Sequence, residues 1–195
     1  MMEKYNINPQ NALFLLIDFQ SNLAVAMKKD VYASCEKNAG LMISSCNSLK
    51  VPVLVTEQYS KGLGPTVERL KTSLKDDYRP MDKLTFSCYR DPGFQSSFSQ
   101  LGKKYIIVAG IESHVCVLQS VLDLIANGCY VHVLSDAVCS RYKSDWKYAL
   151  RYMNEAGAVI TTTEIAVFQL LQRAGTPEFK AISALFKNKE SYWSE

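Results

Sequence analysis

Apolar positions along the chain fall into uninterrupted runs, separated by stretches whose apolar residues recur at helical spacing. "ALFLLIDF" (12–19) shows no alternation of apolar and polar residues, so it predicts a strand buried on both faces. Residues 30–49 follow as a helix that places Val31, Cys35, Ala39, Met42, Ile43 and Cys46 near one face. "VPVLVTEQ" (51–58) predicts a second strand, and "YSKGLGPTVERL" a loop and short turn. A third strand is predicted around "MDKLTFS" (81–87) and a fourth over "KYIIVAG" (104–110). The next helix, 114–127, carries Leu118, Val121, Leu122 and Ile125 on one face. "YVHVLSDA" (130–137) is a fifth strand, 143–156 a helix and "AVITTTE" (158–164) a sixth strand. Residues 164–173 and 177–187 close the chain as helices.

Strands buried on both faces and separated by helices require crossover connections and a parallel sheet. The pattern therefore predicts a single-domain three-layer α/β/α sandwich with a mostly parallel six-stranded sheet, its core over about 10–187 of the 195 residues. At 48% apolar content that length suffices for one substantial core. Composition changes the picture mainly by exclusion. The 22 basic and 19 acidic side chains are dispersed, and the net charge of +3 gives no reason to expect a nucleic-acid partner. No apolar run approaches the ~20 residues of a membrane helix. "MMEKYNINPQ" lacks the features of a signal or transit peptide. Cysteines at 35, 46, 88, 116, 129 and 139 form no CxxC pair, which suits a reducing compartment and small buried thiols. The expected location is intracellular: the cytoplasm first, a mitochondrion second.

In an open parallel sheet, ligands bind outside the carboxyl ends of the strands. The polar residues that end the apolar runs are Asp18, then Glu57 with Gln58, then "GIESHVC", then Asp136, and Lys83 lies in the third strand region. Asp18 directly follows "LFLLI", where a carboxylate is desolvated and calls for a cation or donor; capping of nearby loop amides is the alternative. Lys83 either joins such a site or points to solvent. Cys116 falls in the first turn of its helix, where unpaired amides, the helix dipole and a nearby lysine favour a thiolate; an inert buried thiol is the alternative. His114, two residues earlier, points away from Cys116 on a helix and reads as a partly exposed loop residue outside the chemistry. "SKGLGPT" has two close glycines and a lysine, but Val67 replaces the third glycine of a dinucleotide fingerprint, so it reads as a structural loop. Phe19, Tyr59, Phe86 and Tyr89 flank these segments and serve either as a pocket wall or as core.

"LFLLIDFQ", "MDKLTFS" and "VAGIESHVCV" resemble the three signature segments of the isochorismatase-like cysteine hydrolases, centred on an Asp, a Lys and a Cys. The resemblance covers roughly residues 10–187. "VPVLVTEQYSKGLGPTVERL" and "TPEFKAISALFK" look most like the isochorismatase domain-containing proteins of eukaryotes. The resemblance implies a Rossmann-like topology and a triad of Asp18, Lys83 and Cys116. It also implies a non-proline cis peptide at Ile111–Glu112 and an oxyanion hole made by the backbone amides of Glu112 and Cys116. Asp18 would take the thiol proton, Lys83 would stabilise charge, and Cys116 would attack an amide-like carbonyl to give a thioester. Two departures narrow the substrate. Nicotinamidases of this family bind zinc through histidines after the second strand, and no histidine occurs between 57 and 82, so no metal or other cofactor is expected. True isochorismatases lack the cysteine. The expectation is a metal-free cysteine hydrolase of a small C–N substrate that forms homo-oligomers through its apolar C-terminal helices. A catalytically quiet binding protein or scaffold is the alternative, and a nucleic-acid-associated activity a more remote one.

Overall fold

Every side chain of β1 (Ala12–Ile17) is buried, and the two-residue period of a strand divides them between two cores. Ala12, Phe14 and Leu16 enter one core; Leu13, Leu15 and Ile17 enter the other. The computed structural model describes residues 2–187. After β1 come a single turn α1 (Ser21–Ala24), the long α2 (Lys29–Leu49), β2 (Val53–Gln58), a second single turn α3 (Ser60–Leu63), α4 (Glu68–Leu74) and β3 (Pro80–Lys83). α5 (Pro92–Leu101) leads into β4 (Tyr105–Ile111), and a wide π turn (Ser113–Val117) opens α6 (Leu118–Ala126). β5 (Tyr130–Cys139), α7 (Lys143–Glu155), β6 (Val159–Thr161), α8 (Thr163–Leu171) and α9 (Pro177–Phe186) complete the described fold.

The sheet has six strands in the order β3-β2-β1-β4-β5-β6, and every neighbouring pair is parallel. One face is covered by apolar residues of α2, α4, α8 and α9, the other by those of α5, α6 and α7. This is the three-layer α/β domain that the apolar runs predict. Strand order reverses between β1 and β4, so the crevice at their carboxyl ends is where such a sheet holds a ligand.

Several elements differ from expectation for physical reasons. β3 stops at Lys83 instead of continuing to 87, because the chain curls so that the Thr85 and Phe86 carbonyls face the Lys83 ammonium. α5 was not predicted, although Asp91 caps it by accepting from the Phe94 amide and Pro92 starts it. α4 replaces the expected short turn. Val31 lies exposed while Cys35, Ala39, Met42, Ile43 and Cys46 are buried as predicted. β5 runs past Asp136 to Cys139, and Asp136 accepts from the Thr163 amide and hydroxyl (2.8 and 2.9 Å), fastening the start of α8.

Candidate active site

Asp18 leaves the end of β1 in a left-handed backbone conformation (φ 54°), which few residues with a Cβ adopt and Asp tolerates better than most. Its amide donates to the Thr56 carbonyl (3.1 Å), and its own carbonyl accepts from Gln20 (2.7 Å). The carboxylate is completely buried and doubly held. Thr56 donates its hydroxyl to Oδ1 at 2.7 Å, and the Lys83 ammonium donates to Oδ2 at 2.7 Å. Lys83, 2% exposed, also donates to Gln58 Oε1 (2.8 Å) and to the Phe86 and Thr85 carbonyls (3.2 and 3.3 Å). Burial alone would discharge such an amine, but the Asp18 charge and the neighbouring thiols hold its pKa above the usual lysine value.

Cys116 enters the same space from the π turn at the other side of the switch point. Its thiol is 5% exposed and donates toward Gln58 Oε1 at 4.0 Å. The expectation of a lowered thiol pKa is overturned. Burial first, and then the charge of Asp18 and a hydrogen bond to it, push the thiol well above its ordinary range, against the opposing pull of Lys83. The resting group is a neutral thiol beside the Asp18 carboxylate.

The backbone makes this convergence possible at Gly110. A Cβ there would stand 2.7 Å from both Cβ and the carbonyl oxygen of Ile17, and 2.9 Å from a methyl of Val117. Only glycine lets β1 and the π turn close on one another. The following peptide, Ile111–Glu112, is cis. Glu112 accepts at Oε2 from the Arg141 amide (3.0 Å) and Nε (3.1 Å). His114 lies inside the π turn, not in a loop, with Nδ1 against the Ser140 hydroxyl at 3.0 Å and Nε2 3.8 Å from Asp145. Ser140 and Arg141 also line a cavity of about 570 Å³, with Lys28, Cys35, Asp136 and Trp146 among its other walls.

A model of the isochorismatase domain matches residues 12–165. The chain belongs to the isochorismatase family. Isochorismatase family protein 1A of Dictyostelium discoideum is 39% identical over 190 residues, spanning 96% of this chain and 91% of that protein. Among solved structures, the MAR1 ribonuclease from Caenorhabditis elegans is 35% identical with a TM-score of 0.88, spanning 95% of this chain and 94% of that one. The YcaC gene product of Escherichia coli, described as an octameric hydrolase of unknown specificity, has a TM-score of 0.83 at 23% identity, over 93% of this chain and 89% of that one. At that identity the likeness is one of fold.

Within this isochorismatase fold, other expected site residues are placed as follows. Phe19 is sealed in the core and packs against Tyr32 (ring centroids 6.3 Å), a core role and not a wall. Tyr59 and Phe86 stand about half exposed, and Tyr89 meets Phe98 edge-on. Glu57, at a strand end but without an assigned role, accepts from the Thr66 amide and hydroxyl (2.7 Å each) and the Tyr78 hydroxyl (2.6 Å). It anchors the "SKGLGPT" loop, whose Gly64 carbonyl accepts from Gln20 at 2.6 Å. Sequence reasoning missed Thr56, Cys88 and Ser120. Cys88 Sγ takes the Ser120 hydroxyl at 3.1 Å and lies 3.8 Å from Thr56 Oγ1, while Ser120 is 2.7 Å from the Cys116 carbonyl. All three sit within apolar runs or helices with no sequence signal to mark them. All six cysteines are free and buried, and among the described residues no cluster of three or more His, Cys, Asp or Glu is placed to hold a metal ion.

Proposed function

We propose that this isochorismatase-family protein is a cysteine hydrolase of small amide-like C–N substrates, with Asp18, Lys83 and Cys116 as its catalytic residues. The observation that carries the reading is the convergence of a carboxylate, an ammonium and a thiol, all nearly closed to water, at the sheet's switch point. Asp18 takes the thiol proton, and the sulfur lone pair attacks the substrate carbonyl carbon. The amides of Glu112 and Cys116 receive the developing oxyanion, and Lys83 offsets the added negative charge. The C–N bond breaks as Asp18 returns the proton to nitrogen, leaving a thioester. Asp18 then draws a proton from water, hydroxide attacks the thioester carbon, the C–S bond breaks and sulfur regains a proton. The product is a carboxylic acid, and low water access strengthens each electrostatic interaction.

A panel of primary amides and carbamoyl compounds, read by ammonia release, tests the reading. Cys116→Ala and Asp18→Asn should each lower turnover by about a thousandfold or more. Full turnover by both variants refutes the assignment. A catalytically quiet scaffold has nothing specific in its favour, since all three polar groups are buried together. A ribonuclease reading rests on names alone, those of the C. elegans relative and of the Leishmania major and Leishmania donovani ones. End-labelled RNA that is cleaved equally by the protein and by Cys116→Ala would favour that second reading over the first.

We also propose that the protein forms homo-oligomers, as the YcaC product is described to do. Ile165 and Phe168 of α8 and Leu185 of α9 are exposed apolar residues on the C-terminal helices. Light scattering coupled to size exclusion should give a mass above that of one chain; a monomer at micromolar concentration refutes it.

A further inference from the structure

Gln58 has no part in the mechanism above, yet its carboxamide stands between two of the three reacting groups. It is the last residue of β2 and pairs in register with Lys83 of β3. Its backbone is clamped by Gln20, whose Oε1 accepts from the Gln58 amide (2.7 Å) and whose Nε2 donates to the Gln58 carbonyl (3.0 Å). The orientation of the carboxamide is fixed by chemistry. Nε2 donates to the Leu84 carbonyl at 2.9 Å, which can only accept, and Oε1 accepts from the Lys83 ammonium at 2.8 Å, which can only donate. Oε1 therefore faces the Cys116 thiol with its orientation defined.

An amide oxygen has two lone pairs. Lys83 occupies one, and the other faces the Cys116 sulfur at 4.0 Å. Once the thiol proton has gone to Asp18 and sulfur bonds to a carbonyl carbon, that second lone pair has no donor in a buried site. Leaving it so carries a desolvation penalty. The nitrogen on the attacked carbon is the nearest group able to replace the lost donor, provided it still carries hydrogen. We infer that Gln58 is a specificity-determining residue whose Oε1 accepts an N–H of the substrate's leaving nitrogen, selecting primary and secondary amides over tertiary amides and esters. The inference rests on the cysteine-hydrolase reading for its chemistry. A neutral glutamine suits the position, because a glutamate there would compete with Asp18 for Lys83 and oppose formation of the thiolate.

Two alkylating agents isolate this contact without requiring turnover: 2-chloroacetamide and its N,N-dimethyl analogue. Each forms an S–C bond at Cys116 with loss of chloride, the thiol proton leaving to solvent, and they differ in the amide hydrogens. Rates at Cys116 are followed by intact mass and peptide mapping, and referred to those of free cysteine. The protein should favour 2-chloroacetamide, and Gln58→Met should reduce that preference about three- to tenfold, the worth of one hydrogen bond. Gln58→Glu keeps an acceptor, so it should keep the preference while reacting more slowly with both reagents. An equal rate ratio in the protein and Gln58→Met overturns the inference, and so does loss of the preference in Gln58→Glu. If the protein hydrolyses no amide yet shows the N–H preference, the hydrolase reading fails and the Gln58 contact stands. Amide turnover with a flat ratio has the opposite meaning.

Discussion

The thiol of Cys116 and the carboxylate of Asp18 oppose one another as charges, so the state of the nucleophile depends on which neighbour is removed. Alkylation proceeds through the thiolate, and its rate follows the thiol's titration. Asp18 raises that pKa and Lys83 lowers it. Asp18→Asn should therefore move the pH midpoint of iodoacetamide labelling at Cys116 downward and speed reaction at neutral pH, although it removes the proposed base for hydrolysis. Lys83→Met should move the midpoint upward. Equal midpoints in the two variants would contradict the assigned geometry. Global unfolding is recognisable separately, because all six cysteines then label together. Thr56 acts one step further back. Its hydroxyl supplies the Oδ1 hydrogen bond, and a bond to a charged acceptor is worth about 1.5–3 kcal/mol. Thr56→Val should cost about that much in urea-measured stability and Thr56→Ser much less; equal losses would show that the methyl, not the hydroxyl, matters.

At the scale of elements, the site exists because β1 and the π turn approach more closely than side chains ordinarily allow, with Gly110 at the contact. Two of the three clashes that alanine would meet there involve Ile17, one of them its backbone oxygen, which cannot rotate away. Gly110→Ala should lower stability by several kcal/mol, on the order of other overpacked core positions or more, and reduce turnover in whatever fraction remains folded. A melting temperature within a degree or two of the parent would refute the close approach. The same scale explains what the sequence made readable. Asp18 directly follows one long apolar run and Cys116 lies in the turn that follows another, so their placement near strand ends followed from the runs. Gln58 was visible as a strand end, but its role needs Lys83 and Leu84, which come 25 and 26 residues later. Thr56 and Cys88 look like ordinary interior residues until the strands are set side by side. The early end of β3 was hidden for a related reason: it depends on where a buried ammonium finds acceptors, not on the apolar pattern of "LTF". The start of α5 was legible in "DPGF", and only the lack of a long apolar stripe concealed it.

Across the whole molecule, the buried thiols couple stability to alkaline pH. Burial is the leading cause that raises Cys35, Cys46, Cys88, Cys116 and Cys129 above the ordinary thiol value, Cys88 to about 11. In the unfolded chain these groups lose protons near pH 8.5, roughly their free value. Above that pH the native state holds more protons than the unfolded state, so stability must fall as pH rises. Each thiol that stays protonated only when folded contributes a slope of about 1.4 kcal/mol per pH unit, and the Cys88 share runs from roughly pH 8.5 to about 11. Urea midpoints measured under reductant at pH 7.5, 8.5, 9.5 and 10.5 should thus be flat at first and then drop steeply. Cys46 gives the cleanest control, because burial is the sole cause of its shift. Cys46→Ala should be less stable than the parent at pH 7.5, by about 1–2 kcal/mol from lost packing. The two curves should then converge as pH rises, since the variant has one fewer thiol to ionise on unfolding. Parallel curves through pH 10.5 would mean that the Cys46 thiol titrates alike in both states, and that its place between α2 and the sheet is more open to water than its burial indicates.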